Sequence, residues 1–172
     1  LAEEVIRNIG GNVLLIRTGA LYHDIGKTDM PMYFVENQVT GYNPHDELGF
    51  EESAEIIISH VIKGIEKAKE FKLPDLLIDF IRTHHGTTTT KFFFRQYKIQ
   101  HPEGIASEID FQYPGPIPFS KETAVLMMAD SVEASARALK KHDAESIDNH
   151  VEHIIDALVQ QNQFSNSDIT FR

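Results

Sequence analysis

The sequence contains no cysteine, no long apolar run and no excess of positive charge. Without cysteine there are no disulfides, no thiolate metal sites and no cysteine nucleophile. Any metal must then be held by imidazole and carboxylate, a donor set that suits Fe, Mn or Zn and disfavours sulfur-loving centres. No stretch reaches the ~18 apolar residues that a membrane-crossing helix requires, so none is expected inside the chain. The net charge of -10 and pI near 5.3 exclude a basic groove for long nucleic acid, because counterion-release binding needs a cationic face. A small anionic substrate stays open, since bound divalent metals can supply local positive charge. There is also no initiator Met and no signal-peptide pattern before Leu1. Leu1-Ala2-Glu3-Glu4-Val5 reads as the middle of a helix entered without a cap, so a domain truncated at its N-terminus is expected. What is present is a chain of 172 residues, 41% hydrophobic, with nine histidines. That length suffices for one globular domain with its own core.

Helical periodicity dominates. Val5, Ile6 and Ile9 share one face of a first helix that stops at Gly10-Gly11, and Val13 to Tyr22 forms a second that runs into His23-Asp24. A loop rich in Pro, Asn and Gly follows from Thr28 to about Gly49; loops of this length in compact domains are commonly functional. Glu51 to Phe71 is a long amphipathic helix. Pro74 suits the first turn of the next, Asp75 to His84, with Gly86 closing it. Lys91 to Lys98 reads as a short helix, although its aromatic run also suits a strand. His101 to Phe119 is irregular. Ser120 caps a helix from Lys121 to about Lys141, and Ser146 to about Gln161 is the last.

Four polar features interrupt this apolar patterning: His23-Asp24 at one helix end, His60 inside another helix, His84-His85 at a third helix end, and Asp130 inside a fourth. Asp130 lies in Ala124-Val125-Leu126-Met127-Met128-Ala129-Asp130. A carboxylate on such a face must be paired or metal-bound, because an isolated buried charge is very costly. His60 stands in the same position after Ile56-Ile57-Ile58. Inward-facing polar side chains on several helices are how bundles build metal sites. A lone histidine on an apolar face is more often a hydrogen-bonded core residue; the combination is what points to a metal. Five side chains besides a shared Asp24 exceed one tetrahedral site, which argues for two metals bridged by a carboxylate.

The ordered pattern of His-Asp, His, His-His and Asp resembles the HD superfamily of metal-dependent phosphohydrolases. His23-Asp24-Ile25-Gly26-Lys27, Phe34-Val35-Glu36-Asn37-Gln38, Asn43-Pro44-His45-Asp46, His84-His85-Gly86-Thr87, Tyr113-Pro114-Gly115-Pro116 and Ala129-Asp130-Ser131-Val132-Glu133-Ala134 together resemble the HDIG domain of bacterial receptors with seven transmembrane helices, a group that includes cyclic di-AMP phosphodiesterases. The similarity runs over essentially the whole chain. It implies an all-α HD-domain bundle with two long loops over residues 1–172. It also implies a cytoplasmic domain of an inner-membrane protein whose full length spans the membrane. The implied cofactors are two divalent transition metals, Fe or Mn, with Zn or Ni as alternatives. Asp24 would bridge them, His23 and Asp130 would hold one, and His60, His84 and His85 the other. The family pattern carries a further His one helix earlier. That position falls before Leu1, so the first site is expected to lack one ligand here. His45, His101, His142, His150 and His153 are left as spare histidines.

The function so implied is hydrolysis of a cyclic dinucleotide, cyclic di-AMP to linear pApA, by a metal-activated hydroxide. Asp24 would hold the metal pair and accept a hydrogen bond from the nucleophile. Lys27, about one helical turn on, would reach the same phosphate. Arg95 and Tyr97 are the substrate candidates of the aromatic and cationic segment Lys91–Lys98, since aromatic faces stack on bases and Arg pairs with phosphate. Tyr113 and Arg137 are added from loop position and from lying two turns after Asp130. The rival readings are an HD hydrolase of nucleoside monophosphates or triphosphates and a non-catalytic nucleotide-sensing module. A cyclic di-GMP enzyme would carry Gly-Tyr-Pro soon after the paired histidines, where this chain has Gly86-Thr87-Thr88-Thr89-Thr90.

Overall fold

A computed structural model describes residues 1–38, 41–103 and 107–170. Among them are seven α-helices and no strand: α1 (Ala2–Ile9), α2 (Val13–Tyr22), α3 (Phe50–Glu70), α4 (Asp75–Thr83), α5 (Lys91–Gln100), α6 (Lys121–Ala136) and α7 (Ala144–Gln160). The segment that suited either helix or strand, Lys91–Lys98, is thus the helix α5. None of the described helices is long and apolar enough to cross a membrane.

Side-chain capping fixes three of the seven described helix starts, those of α2, α6 and α7. The Asn12 side chain accepts from Leu15 N at 3.0 Å and starts α2, and Ser120 and Thr123 form a reciprocal capping box at the start of α6, satisfying backbone donors that a helix end leaves open. Several boundaries differ from the sequence reading. Helix α6 ends at Ala136 rather than near Lys141. The Ser135 hydroxyl donates to the Ser131 and Val132 carbonyls, and the following amides of Ala138 and Leu139 bond three residues back, which tightens and ends the helix. Helix α7 starts at Ala144 rather than Ser146 because Asp143 is its cap, accepting from Ser146 N at 2.9 Å. Pro74 likewise stands just outside α4 as its N-cap.

The core joins Ile6 of α1, Ile16 of α2, Phe80 of α4, Val125 and Met127 of α6, and Leu158 of α7. Helix α3 buries Ser53, Ala54, His60, Val61, Gly64 and Ala68, the three-to-four spacing of one helix face. Two glycines set how closely the elements approach. A Cβ on Gly19 would overlap the Phe80 ring, and one on Gly26 would overlap the His60 carbonyl and lie 2.6 Å from Gly64 N. The turn after His23-Asp24 is therefore pressed onto the backbone of α3.

The expected loop Thr28–Gly49 is largely a string of 3-10 turns, at Ile25–Asp29, Pro31–Tyr33, Val35–Asn37 and Pro44–Glu47, with residues 39–40 outside the described residues. The second loop, His101–Phe119, holds a 3-10 turn at Glu108–Phe111 and an isolated bridge between Thr89 and Gln112. Its residues 104–106 lie outside the described residues.

Candidate metal centre

Helices α2 and α4 end at the same place. His23 caps the C-terminus of α2 and His84 that of α4, while α3 and α6 present His60 and Asp130 from the side. Two groups result: His60, His84 and His85, and His23, Asp24 and Asp130, with the potential ligand atoms inside each group within 4.8 Å of one another. The other five sequence candidates, Lys27, Arg95, Tyr97, Tyr113 and Arg137, lie around this point or beyond it.

Three of the histidines are oriented in the same way. Nδ1 of His23, His60 and His84 donates to the carbonyl three residues earlier, that of Ala20 at 2.9 Å, Ile57 at 2.5 Å and Ile81 at 2.7 Å. Each bond fixes the tautomer and turns Nε2 inward, the arrangement of a metal-ligating histidine. The Nε2 atoms of His60 and His84 approach within 3.1 Å, and both stand 3.5 Å from Oδ1 of Asp24. Nε2 of His23 lies 3.3 Å from Oδ2 of Asp24 and 3.5 Å from Oδ1 of Asp130. The two oxygens of Asp24 thus face different groups.

The donor set fits two cations. His23 Nε2 and Asp24 Oδ1 are buried without a hydrogen-bond partner, and buried polar atoms left this way call for an ion or water. Their neighbours stand at ion-pair distance, too far or too poorly aligned for hydrogen bonds. The ionisation preferences divide the groups. Burial, together with the charge of His84, lowers His60 to about 4. Burial, with His84 and His60 beside it, also holds His85 well below its ordinary value. Both are neutral imidazoles at pH 7, ready to ligate. For His23 burial opposes charging, but Asp130 and Asp24 outweigh it and raise the group to about 10. Asp24 and Asp130 are held below the ordinary carboxylate range despite burial, chiefly by His23. A position that draws a proton this strongly draws a divalent cation by the same charge.

Around these ligands, Tyr113 stacks on His85 with ring centroids 4.2 Å apart; burial and the Asp130 and Asp24 charges keep its phenol neutral. Phe34 meets the His60 ring edge-on at 5.5 Å. It also walls a cavity of about 280 Å³ lined by Tyr33, Glu36, His45, Ile57 and Phe93 among others. Lys27 Nζ bonds Oδ2 of Asp24 at 2.8 Å and Oε1 of Glu36 at 2.6 Å. Arg137 pairs with Glu133 at 2.8 Å and reaches the other Glu36 oxygen at 3.6 Å. Arg95 is exposed on α5, and the Tyr97 ring packs on His101 and Phe111. On that helix it is Phe93 that faces the cavity, against His45 at 5.2 Å. Of the spare histidines, His45 bonds the Tyr33 carbonyl and His150 the Ser135 hydroxyl.

Sequence reasoning quoted Glu36 within a motif but assigned it no role. Its one available signal was an acid amid aromatic residues in a long loop, which does not reveal that it joins Lys27 to Arg137.

The family model described as the HD domain matches residues 1–135. Proteins named cyclic-di-AMP phosphodiesterase PgpH from Bacillus subtilis and Listeria monocytogenes are each 44% identical to this chain over 172 residues. The match takes in 100% of this chain and 24% of each relative, so the chain spans about a quarter of their length. A crystal structure of the L. monocytogenes phosphodiesterase PgpH HD domain in complex with cyclic-di-AMP superposes with a TM-score of 0.95 at 44% identity, covering 99% of this chain and 78% of that one.

Proposed function

The chain belongs to the HD-domain family, and from that premise we propose that it is a metal-dependent phosphodiesterase that opens a cyclic dinucleotide, cyclic di-AMP, to linear pApA. The observation that carries the reading is the placement of Asp24, whose two oxygens face separate ligand groups. His23 and Asp130 would complete one metal position, and His60, His84 and His85 the other. Fe or Mn suits this imidazole and carboxylate set. When bound, two such ions supply the Lewis acidity that activates water and offsets charge at phosphorus.

In the hydrolysis, water oxygen forms a bond to phosphorus while the bond from phosphorus to the ribose 3′ oxygen breaks. That oxygen takes up a proton, leaving a 5′-phosphate on the linear product. Asp24 is the residue placed to accept a hydrogen bond from the attacking water. Lys27, at hydrogen-bond distance from Asp24, lies close enough to pair with a non-bridging phosphate oxygen. The nearby cavity with walls of Tyr33, Phe34 and Phe93 suits a flat base, since aromatic faces stack on any nucleobase. Tyr113 holds His85 by its ring, and Arg137 borders the site through Glu36; of the α5 candidates, Arg95 and Tyr97 do not line the cavity and would meet substrate only at its outer edge. The identity and structural likeness to PgpH support cyclic di-AMP as the substrate. The motif resemblance to seven-helix membrane receptors supports a cytoplasmic placement on a longer membrane-bound protein.

The test loads the 172-residue chain and its full-length protein with Mn²⁺ and follows cyclic di-AMP and pApA by chromatography. Turnover to pApA is expected. Two bound metals with intact cyclic di-AMP and cleaved mononucleotides would instead assign a nucleotidase; two bound metals and no turnover of either would assign a sensing module.

A further inference from the structure

The Lys27 ammonium occupies the same carboxylate oxygen that faces His23. It lies 2.8 Å from Asp24 Oδ2, and that oxygen is 3.3 Å from His23 Nε2. A divalent cation held by His23, Asp24 and Asp130 would therefore stand beside a fixed positive charge in a largely buried place, where Coulomb repulsion is weakly screened. Glu36 is the counterweight. It holds the ammonium at 2.6 Å from its Oε1, while its other oxygen is tied toward α6 through Arg137 at 3.6 Å. The Phe34 ring also lies against the ammonium, 5.0 Å from Lys27 Nζ. Lys27 thus has two seats, one on the bridging carboxylate and one on Glu36.

We propose that Glu36 is a positioning residue that draws Lys27 away from Asp24 and so sets the metal affinity of the His23–Asp24–Asp130 position. This rests on the metal reading above and concerns only how one of its two positions fills. His60 and His84 face the other Asp24 oxygen, and the Lys27 charge is only a minor influence on His60 and His85, so the affinity of that position depends less on Glu36.

The experiment is a calorimetric titration of the chelator-treated protein with Mn²⁺ alone, paired with the electron paramagnetic signal of coupled Mn²⁺ pairs. Wild type takes up Mn²⁺ in two steps. Glu36→Gln leaves Lys27 only the Asp24 seat and weakens one step about 10- to 100-fold, the range for losing an outer-sphere partner, with the other step moved much less. Lys27→Met tightens that same step. The double variant matches Lys27→Met alone, because Glu36 acts through the ammonium. The proposal is overturned if Glu36→Gln moves neither step, if Lys27→Met weakens metal binding, or if Glu36→Gln still weakens binding when Lys27 is already Met. Wild type without any Mn²⁺ uptake overturns the metal reading itself and this proposal with it. Two normal Mn²⁺ steps without cyclic di-AMP turnover would count against the phosphodiesterase reading and not against the metal positions.

Discussion

His60 and His84 meet the bridging carboxylate as imidazoles sunk in the helical core, 2% and 0% exposed at the side chain, with the part-buried His85 beside them. His23, Asp24 and Asp130 bring two carboxylates and one imidazole to a more open position, 14%, 30% and 18% exposed, with Lys27 alongside. In the first group burial keeps His60 and His85 neutral. The other is anionic, and its charge is already compensated by a proton on His23 and an ammonium on Asp24. A cation entering the first meets His60 and His85 already neutral, whereas one entering the second must displace the proton on His23. Two positions a few ångströms apart can therefore fill under different conditions although they share a ligand.

The most severe way to break this comparison is to remove what the groups share. Asp24→Ala should abolish binding of both metals and all turnover, read by elemental analysis and product assay; full metal content in that variant would eliminate the bridging role. Next comes the contact that holds the groups in register. Gly26→Ala forces a methyl against the His60 carbonyl and Gly64 amide and should cost about 3 kcal/mol, the upper range for overpacking. Urea unfolding measures it, and wild-type stability would show that the turn and α3 can separate freely.

The pH response of chelator-treated protein should differ in sign between the groups. His23 is raised from 6.5 to about 10, so its contribution is complete below pH 6.5 and is lost as pH climbs toward 10. His60 is lowered from 6.5 to about 4, so its contribution is complete above pH 6.5 and is lost as pH falls toward 4. Melting temperature should accordingly fall on both sides of pH 6.5. Asp130→Asn should flatten the alkaline limb and His60→Gln the acid limb; an unchanged alkaline limb in Asp130→Asn would reject the charge contrast. The smallest effect is expected from Ser120→Ala, which loosens the first turn of α6 well before Asp130. It should cost about 1 kcal/mol, the usual loss for an N-cap, and leave metal stoichiometry at the wild-type value. A change in that stoichiometry would mean that the Asp130 position depends on the far end of its helix.

The ligand candidates were legible because each violates a local rule. His60 follows three isoleucines and Asp130 ends an apolar run, and such positions demand a partner wherever the fold places them. The helices were legible for a similar reason: periodicity and caps act within a few residues of chain. Where local signals competed, the reading slipped. Residues 137–141 have no residue that bars a helix, yet Ser135 bonds back to its own helix and ends α6 early.

Apolar spacing, caps and the isolated ionisable residues were sufficient for an all-helical chain with His23, Asp24, His60, His84, His85 and Asp130 as its chemical candidates, because these are properties of neighbouring residues. Which oxygen of Asp24 faces which group, that Tyr113 stacks on His85, and that Glu36 shares Lys27 with Asp24 follow only from packing. Those contacts join residues tens of positions apart, or across a loop with no repeating pattern, and they depend on how closely Gly26 lets that loop lie against α3.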